Sequence, residues 1–225
     1  SKLAIKTLLF DFDGTLADTS KGIYKAFADS AKEIGLKPPT YSLFKVNIGP
    51  PINKLIPRFY SNINNQKIIQ FIKLFREKYD STDYKIFNWY DGFNSTIATI
   101  YNDINCQIGI VTNKPTLLTE KLIKTSNLQH IFEHIVGIDY PVLSGLNYKF
   151  ESKFEALKYT IRLFNTQPEN TIYVGDTPSD LVASRKNSIQ FISATYGFHS
   201  WSQTEVSVKH INTLPEILPI LKETS

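Results

Sequence analysis

The stretch Leu8-Leu9-Phe10-Asp11-Phe12-Asp13-Gly14-Thr15-Leu16-Ala17-Asp18 narrows the possible folds more than any other part of the chain. The apolar run Leu8-Leu9-Phe10 belongs in a buried strand. Asp11 and Asp13 do not, so they must stand where the strand leaves the core. In an open α/β sheet that position, the carboxyl end of a strand, is where ligands bind. Two close carboxylates repel each other unless a cation or a proton stabilises the pair. The stretch alone therefore points to a Mg²⁺ site, a nucleophile and a proton carrier.

Strand-like and helix-like segments alternate through most of the sequence, which predicts a parallel sheet covered on both faces. Strands are expected over residues 4–10, 107–111, 134–138, 171–174 and 189–194. Helices are expected over 19–34, 52–60, 65–79, 92–103, 116–126, 153–164, 179–186 and 213–221, the last interrupted by Pro219. Pro38-Pro39 breaks the chain. In the 65–79 segment Ile68, Ile72, Phe75 and Tyr79 recur at helical steps and define one face. No strand-like run occurs between residues 18 and 84. A helical insert of that length, directly after the first strand, reads as a separate cap rather than a sheet crossover. The expected architecture is α/β: a catalytic core from residues 1–17 and 85–225, and a helical cap from 18–84.

Composition agrees with an ordinary globular protein. Of 225 residues 42% are hydrophobic and 13% aromatic, enough for a sizeable core. The 25 basic residues are scattered and nearly balanced by 21 acidic ones. Nucleic-acid binding would need a concentrated basic face, so none is expected; a mild positive balance suits a small anionic substrate. The single cysteine, Cys106, cannot form an internal disulfide and lies in an apolar strand-like run, where a small buried side chain fits. No signal peptide and no apolar run of membrane-span length is evident. A soluble cytoplasmic protein with no membrane partner is expected, as a monomer or a homodimer.

Other predicted strand ends also carry polar groups. Gly109-Ile110-Val111 leads into Thr112-Asn113-Lys114-Pro115, and Tyr173-Val174-Gly175 leads into Asp176-Thr177-Pro178-Ser179-Asp180. Lys153 opens the helix before the latter strand. Each has an ordinary explanation on its own. Thr112 or Asn113 can cap a helix, Asp176 can be a turn residue, and Lys153 can be solvated. Together they bring two aspartates, a hydroxyl and a third aspartate to strand ends in an order that can converge. His130, His134, His199 and His210 show no zinc-binding pattern; His130 and His134 read as structural. Trp89-Tyr90 reads as packing at the cap-to-core crossing.

Asp11-Phe12-Asp13-Gly14-Thr15 resembles the first motif of the haloacid dehalogenase-like superfamily. Thr112 is similar to its second motif, Lys153 to its third, and Gly175-Asp176 with Asp180 to its fourth. The resemblance is closer to the phosphoglycolate phosphatase-like branch, through Val111-Thr112-Asn113-Lys114-Pro115, Ile48-Gly49-Pro50-Pro51 and Thr195-Tyr196-Gly197-Phe198. It implies a Rossmann-like core with an inserted helical cap. The activity it implies is Mg²⁺-dependent hydrolysis of a small phosphomonoester, phosphoglycolate-like or nucleotide-like. Dehalogenases lack the second acid and P-type ATPases carry a threonine there, so Asp13 favours a phosphatase or a phosphomutase. A sugar phosphomutase and a non-catalytic phosphate-binding protein are the rival readings.

The resemblance also implies roles. Asp11 attacks phosphorus to form an aspartyl phosphate. Asp13 protonates the leaving oxygen and then takes a proton from water. Mg²⁺ falls to the Asp11 carboxylate, the Asp13 backbone carbonyl and the Asp176 carboxylate, with Asp180 holding the metal's waters. Thr112 and Asn113 contact the phosphoryl oxygens, and Lys153 neutralises the phosphoryl group and restrains Asp11. Lys149, four residues earlier, competes for that last role. Neither lysine precedes the proline that many relatives carry. Lys153 is preferred because it opens an amphipathic helix with Phe154, Leu157, Ile161 and Phe164. The cap is expected to close over the site, with the turn from Gly14 to Asp18 beside the hinge. Lys21, Lys45, Asn47, Lys54 and Arg58 are polar cap residues that can meet a substrate, although a solvated surface explains any one of them.

Overall fold

A computed structural model of the chain describes residues 4–201 and 208–224. Eight strands occur in it: β1 (Thr7–Phe10), β2 (Ala17–Asp18), β3 (Asn88–Trp89), β4 (Gln107–Val111), β5 (Phe132–Val136), β6 (Thr171–Gly175), β7 (Gln190–Ala194) and β8 (Lys209–Ile211). Six form one sheet in the order β5-β4-β1-β6-β7-β8, and all five neighbouring pairs in it are parallel. β2 and β3 pair with each other instead. The α-helices are α1 (Ser20–Glu33), α2 (Tyr41–Lys45), α3 (Ile52–Phe59), α4 (Asn65–Asp80), α5 (Phe93–Thr99), α6 (Thr116–Lys124), α7 (Tyr140–Leu143), α8 (Lys153–Leu163), α9 (Pro178–Lys186) and α10 (Ile217–Thr224).

The chain divides into two compact units, one of Ser1–Leu16 with Trp89–Ser225 and one of Ala17–Asn88. In the first, β1 is central. All four of its residues are buried, as a parallel strand covered on both faces requires. The chain builds β4 and β5 on one side of β1, then returns to build β6, β7 and β8 on the other. Such a reversal of direction opens a crevice at the carboxyl ends of the strands it separates. Register aligns those ends, because Phe10 pairs with both Ile110 and Val174. Asp11, Thr112 and Asp176 therefore emerge near one level.

On one face of the sheet Leu9, Val111, Tyr173 and Phe191 pack with Ala156, Leu157, Ile161 and Phe164 of the α8 region and Leu181 and Ala183 of α9. Gly109 makes this packing possible, since a side chain there would collide with the Phe164 ring. The helical unit has an aromatic centre. Phe27 of α1 lies 4.7 Å, between ring centroids, from both Phe44 of α2 and Phe71 of α4.

Several elements differ from the sequence expectation. Fully buried Phe71 lies at the heart of the α4 face, whereas Ile68, Ile72 and Phe75 are only half-buried. α2 spans five residues, too short for a periodic signal; it is set by Thr40, whose hydroxyl accepts from Leu43 N. α7 is shorter still. β5 begins two residues before the expected start, and Ile138 lies beyond its end. The helix expected over 92–103 is α-helical only to Thr99; residues Ile100–Ile104 form a π-helical turn, closed by Asn105 in the left-handed region. β8 is a three-residue strand with two exposed positions, and it carries no apolar run to betray it. Pro219 does not interrupt α10. It lies in the first turn, where a missing N–H leaves no hydrogen bond broken.

Candidate active site

Asp11 leaves β1 while its backbone is still in the ladder, its N–H donating to Val174 O at 2.9 Å. Its Oδ1 accepts from Phe12 N at 2.8 Å. Phe12 turns back into the core, edge-on to Trp89, which itself stacks on Phe93. The two acids are thus set on either side of a buried ring, and Trp89 packs as expected of it. Gly14 has φ +81, and any side chain on it would run into Asp176 Oδ2. The turn therefore admits only glycine without rearrangement.

Asp176, at the end of β6, is wholly buried. Its Oδ1 accepts from the Thr15 hydroxyl at 3.3 Å and its Oδ2 from Phe198 N at 3.0 Å. The Tyr196 hydroxyl donates to Thr15 O at 2.7 Å. The Thr195-Tyr196-Gly197-Phe198 segment thereby braces both the first turn and the third aspartate. Sequence showed this segment only as part of a resemblance and gave it no task.

Lys153 opens α8 and is buried. Its Nζ stands 2.5 Å from Asp180 Oδ1 and 3.3 Å from Asp11 Oδ2. Asp180 sits in the first turn of α9, where its Oδ2 accepts from Thr177 N at 3.1 Å and Thr177 Oγ1 at 2.9 Å. That is the reach-back half of a capping box. Lys149 is exposed. Thr112 follows β4 and is buried, its hydroxyl oxygen accepting from Lys114 N at 3.1 Å. Asn113 is half-buried beside it.

One residue of the site was passed over in the sequence. Lys114 is buried, and its Nζ lies 2.9 Å from Asp13 Oδ1. No periodicity marks it; only its place in the loop after β4, the strand next to β1, could have drawn attention. That loop is fixed from outside. Asp139 Oδ1 accepts from Thr116 N at 2.9 Å and from Thr116 Oγ1 at 2.8 Å, so it caps α6 from the loop after β5. Thr116 Oγ1 in turn accepts from Gly137 N at 3.0 Å.

Buried carboxylates at this density are under strong electrostatic stress. Burial pushes the Asp11 carboxyl up to about 7, against the pull of Lys153 and with Asp180 and Asp13 pushing the same way. Burial also raises Asp176 well above the usual carboxylate range, and Asp11 and Asp180 add to that. For Lys153 burial acts downward, but the surrounding aspartates outweigh it and hold the ammonium above the ordinary lysine value.

Asp11, Asp176 and Asp180 each offer a carboxylate oxygen within 4.8 Å of the others. Hard oxygen donors with excess negative charge fit a cation such as Mg²⁺. Asp180 is the least suited to direct ligation, because Lys153 holds one of its oxygens and Thr177 the other. An outer-shell place suits it better.

A parallel α/β sheet with a carboxylate cluster at the carboxyl end of its central strand places a candidate site where ligands bind in open α/β folds. The model of the haloacid dehalogenase-like hydrolases matches residues 8–194, and the chain belongs to that family. Curated relatives within that family are named phosphatases, and the chain is an enzyme of the phosphatase kind. It is 26% identical over 194 residues to a phosphoglycolate phosphatase of Aquifex aeolicus, covering 86% of each chain. It is 26% identical over 194 residues to the pyrophosphatase PpaX of Oceanobacillus iheyensis, covering 84% of this chain and 82% of that one. The fold is also that of a solved structure described as a predicted phosphatase from Clostridium acetobutylicum. Its TM-score is 0.86 at 23% identity, over 98% of this chain and 99% of that one.

Proposed function

We propose that the chain is a Mg²⁺-dependent phosphatase that hydrolyses a small phosphomonoester, phosphoglycolate-like or nucleotide-like, through an aspartyl phosphate. One observation carries the reading: two aspartates at the end of one strand have separate lysine partners. Asp11 has Lys153, and Asp13 has Lys114. The buried member suits attack on phosphorus, and the more exposed member suits proton exchange with a leaving group and with water.

In the first step an Asp11 carboxylate oxygen bonds to phosphorus as the ester P–O bond breaks. The departing oxygen takes the bond's electron pair and a proton from Asp13. In the second, water bonds to phosphorus and gives a proton to the Asp13 carboxylate, while the bond to Asp11 breaks and restores its carboxylate. The sum is ester plus water to alcohol plus phosphate. Lys153 restrains Asp11 and neutralises phosphoryl charge, Thr112 donates its hydroxyl to a phosphoryl oxygen, and the Asn113 amide stands nearby. Asp11, Asp176 and the Asp13 carbonyl hold Mg²⁺, with Asp180 behind them. When bound, Mg²⁺ supplies charge stabilisation to the phosphoryl oxygens, the dominant need in phosphoryl transfer.

The relatives named for phosphoglycolate and pyrophosphate hydrolysis support a compact anionic substrate. So does the mild positive balance of the chain, 25 basic against 21 acidic residues. We place the enzyme in the cytoplasm; among the described residues no helix is long and apolar enough to cross a membrane. The test is phosphate release from a panel of phosphorylated metabolites, with Mg²⁺ and with chelator, and Asp11→Asn as control. Release that requires both the metal and Asp11 supports the reading. Near-normal turnover by Asp11→Asn overturns the nucleophile. A phosphoenzyme that forms from a sugar bisphosphate and releases no phosphate overturns the hydrolase in favour of a mutase.

A further inference from the structure

We infer that Lys114 is a positioning residue that orients the Asp13 carboxyl for both of its proton transfers; this rests on the hydrolytic reading above. A buried ammonium is costly unless a counter-charge and a fixed geometry compensate it. Lys114 has only 3% of its side chain exposed, yet it reaches across from the loop after β4 to Asp13 Oδ1 at 2.9 Å. Its Nζ also lies 5.8 Å from the centre of the Phe12 ring, the residue between the two acids. Asp13 itself is half-buried and is followed by Gly14 in the left-handed region.

The base from which Lys114 reaches is rigid. Its N–H donates to the Thr112 hydroxyl oxygen at 3.1 Å. Two residues on, Thr116 is clamped by Asp139 and linked to Gly137. A charged donor on such a base fixes the plane of the Asp13 carboxyl. General acid and base groups must be held within hydrogen-bonding reach of the atom they serve, and small misplacements lower rates steeply. Lys153 cannot serve in this way, because its ammonium is engaged with Asp180 and Asp11. The two lysines divide the two aspartates between them.

Leaving-group dependence tests the role. An alkyl ester such as phosphoglycolate needs a proton on its departing oxygen, whereas dinitrophenyl phosphate does not. With Mg²⁺ present, Lys114→Met is expected to lower kcat/KM for phosphoglycolate by about 10²-fold, and for dinitrophenyl phosphate by less than about tenfold on the same grounds. Water must still give up its proton in the second step, so kcat for dinitrophenyl phosphate falls together with KM and phosphoenzyme accumulates. Lys114→Gln, which keeps a neutral donor, should recover part of the loss. It also carries the same comparison should Lys114→Met fail to fold. Equal losses of kcat/KM on both esters, or a raised KM at unchanged kcat, overturn the positioning role while leaving the phosphatase standing. Wild-type protein that releases phosphate from no ester of the metabolite panel, dinitrophenyl phosphate included, defeats the hydrolytic reading itself, and this role with it.

Discussion

The Lys153 ammonium stands 2.5 Å from Asp180 Oδ1, a pair in which the carboxylate is fully buried and the lysine nearly so. The same nitrogen is 3.3 Å from Asp11 Oδ2, so one cation ties the α9 capping box to the proposed nucleophile. Lys153→Ala leaves two buried carboxylates without their cation. It should lower kcat/KM by about 10²–10³-fold, the scale of removing a positioned charge from a reacting centre. Exposed Lys149 touches none of these groups, and Lys149→Ala should stay within about twofold of wild type, as surface substitutions do. Steady-state kinetics on both variants checks the pair. Loss of activity in Lys149→Ala alone would move the phosphate lysine to the loop.

Removing metal should reverse the usual pH response of a carboxylate-rich site. Unfolded, Asp11 ionises near its ordinary value of 3.8; folded, burial first and then the neighbouring acids raise it to about 7. Between those values the native protein holds a proton that the unfolded chain has released. Stability of the chelated protein therefore falls as pH rises through that window. Asp176, raised by the same burial, acts in the same direction. Mg²⁺ at the proposed site would bind the ionised cluster, so it should restore melting temperature most on the alkaline side. Thermal melts across pH, with chelator and with Mg²⁺, read this directly. Equal melting curves at all pH values with chelator would mean that the cluster carries no such stress.

Asp139 lies outside every recognised motif, yet it caps the helix that follows Thr112-Asn113-Lys114-Pro115. Asp139→Ala leaves Thr116 N without its acceptor and should cost about 0.5–2 kcal/mol of stability. Because the same loop carries Lys114, activity should drop in folded protein as well, whereas a cap with no link to the site would lower only the melting temperature. Comparing kcat well below the melting point with the melting temperature itself separates these outcomes.

What the sequence disclosed follows from how local each signal is. Asp11 and Asp13 were legible because a buried strand cannot accommodate charge and must end there. Asp176 was legible for the same reason at β6, and Asp180, within α9, through the family resemblance. The choice between Lys153 and Lys149 rested on which side of a helix start a lysine falls, and the structure turns only the former inward. Lys114 was invisible as a partner of Asp13 because the contact spans 101 positions and depends on β4 lying beside β1. Phe71 was missed because the α4 face was drawn through Ile68, Ile72, Phe75 and Tyr79. A helical stripe wider than one row also includes the residue between them. β8, α2 and α7 are too short for any periodicity to show.

Four described non-glycine residues have positive φ, and three are asparagines, which tolerate that region; the fourth is Ser188, at φ 58. It ends α9 in a Schellman motif. Ile189 N donates to Ser184 O at 2.9 Å and Ser188 N to Arg185 O at 3.0 Å. Ile189 is buried and fixes the turn from its far side, while Ser188 itself is exposed. Ser188→Gly relieves the left-handed penalty but gives the unfolded chain more freedom. The net gain should be about 0.5–1 kcal/mol, or a melting temperature raised by about 1–4 °C for a chain of this length. Ser188→Val, branched at Cβ, should lower it. α9 carries Asp180 and its capping box, so the glycine variant should keep full activity while gaining stability. A Ser188→Gly protein that melts below wild type would show that the serine side chain makes a contact the turn depends on.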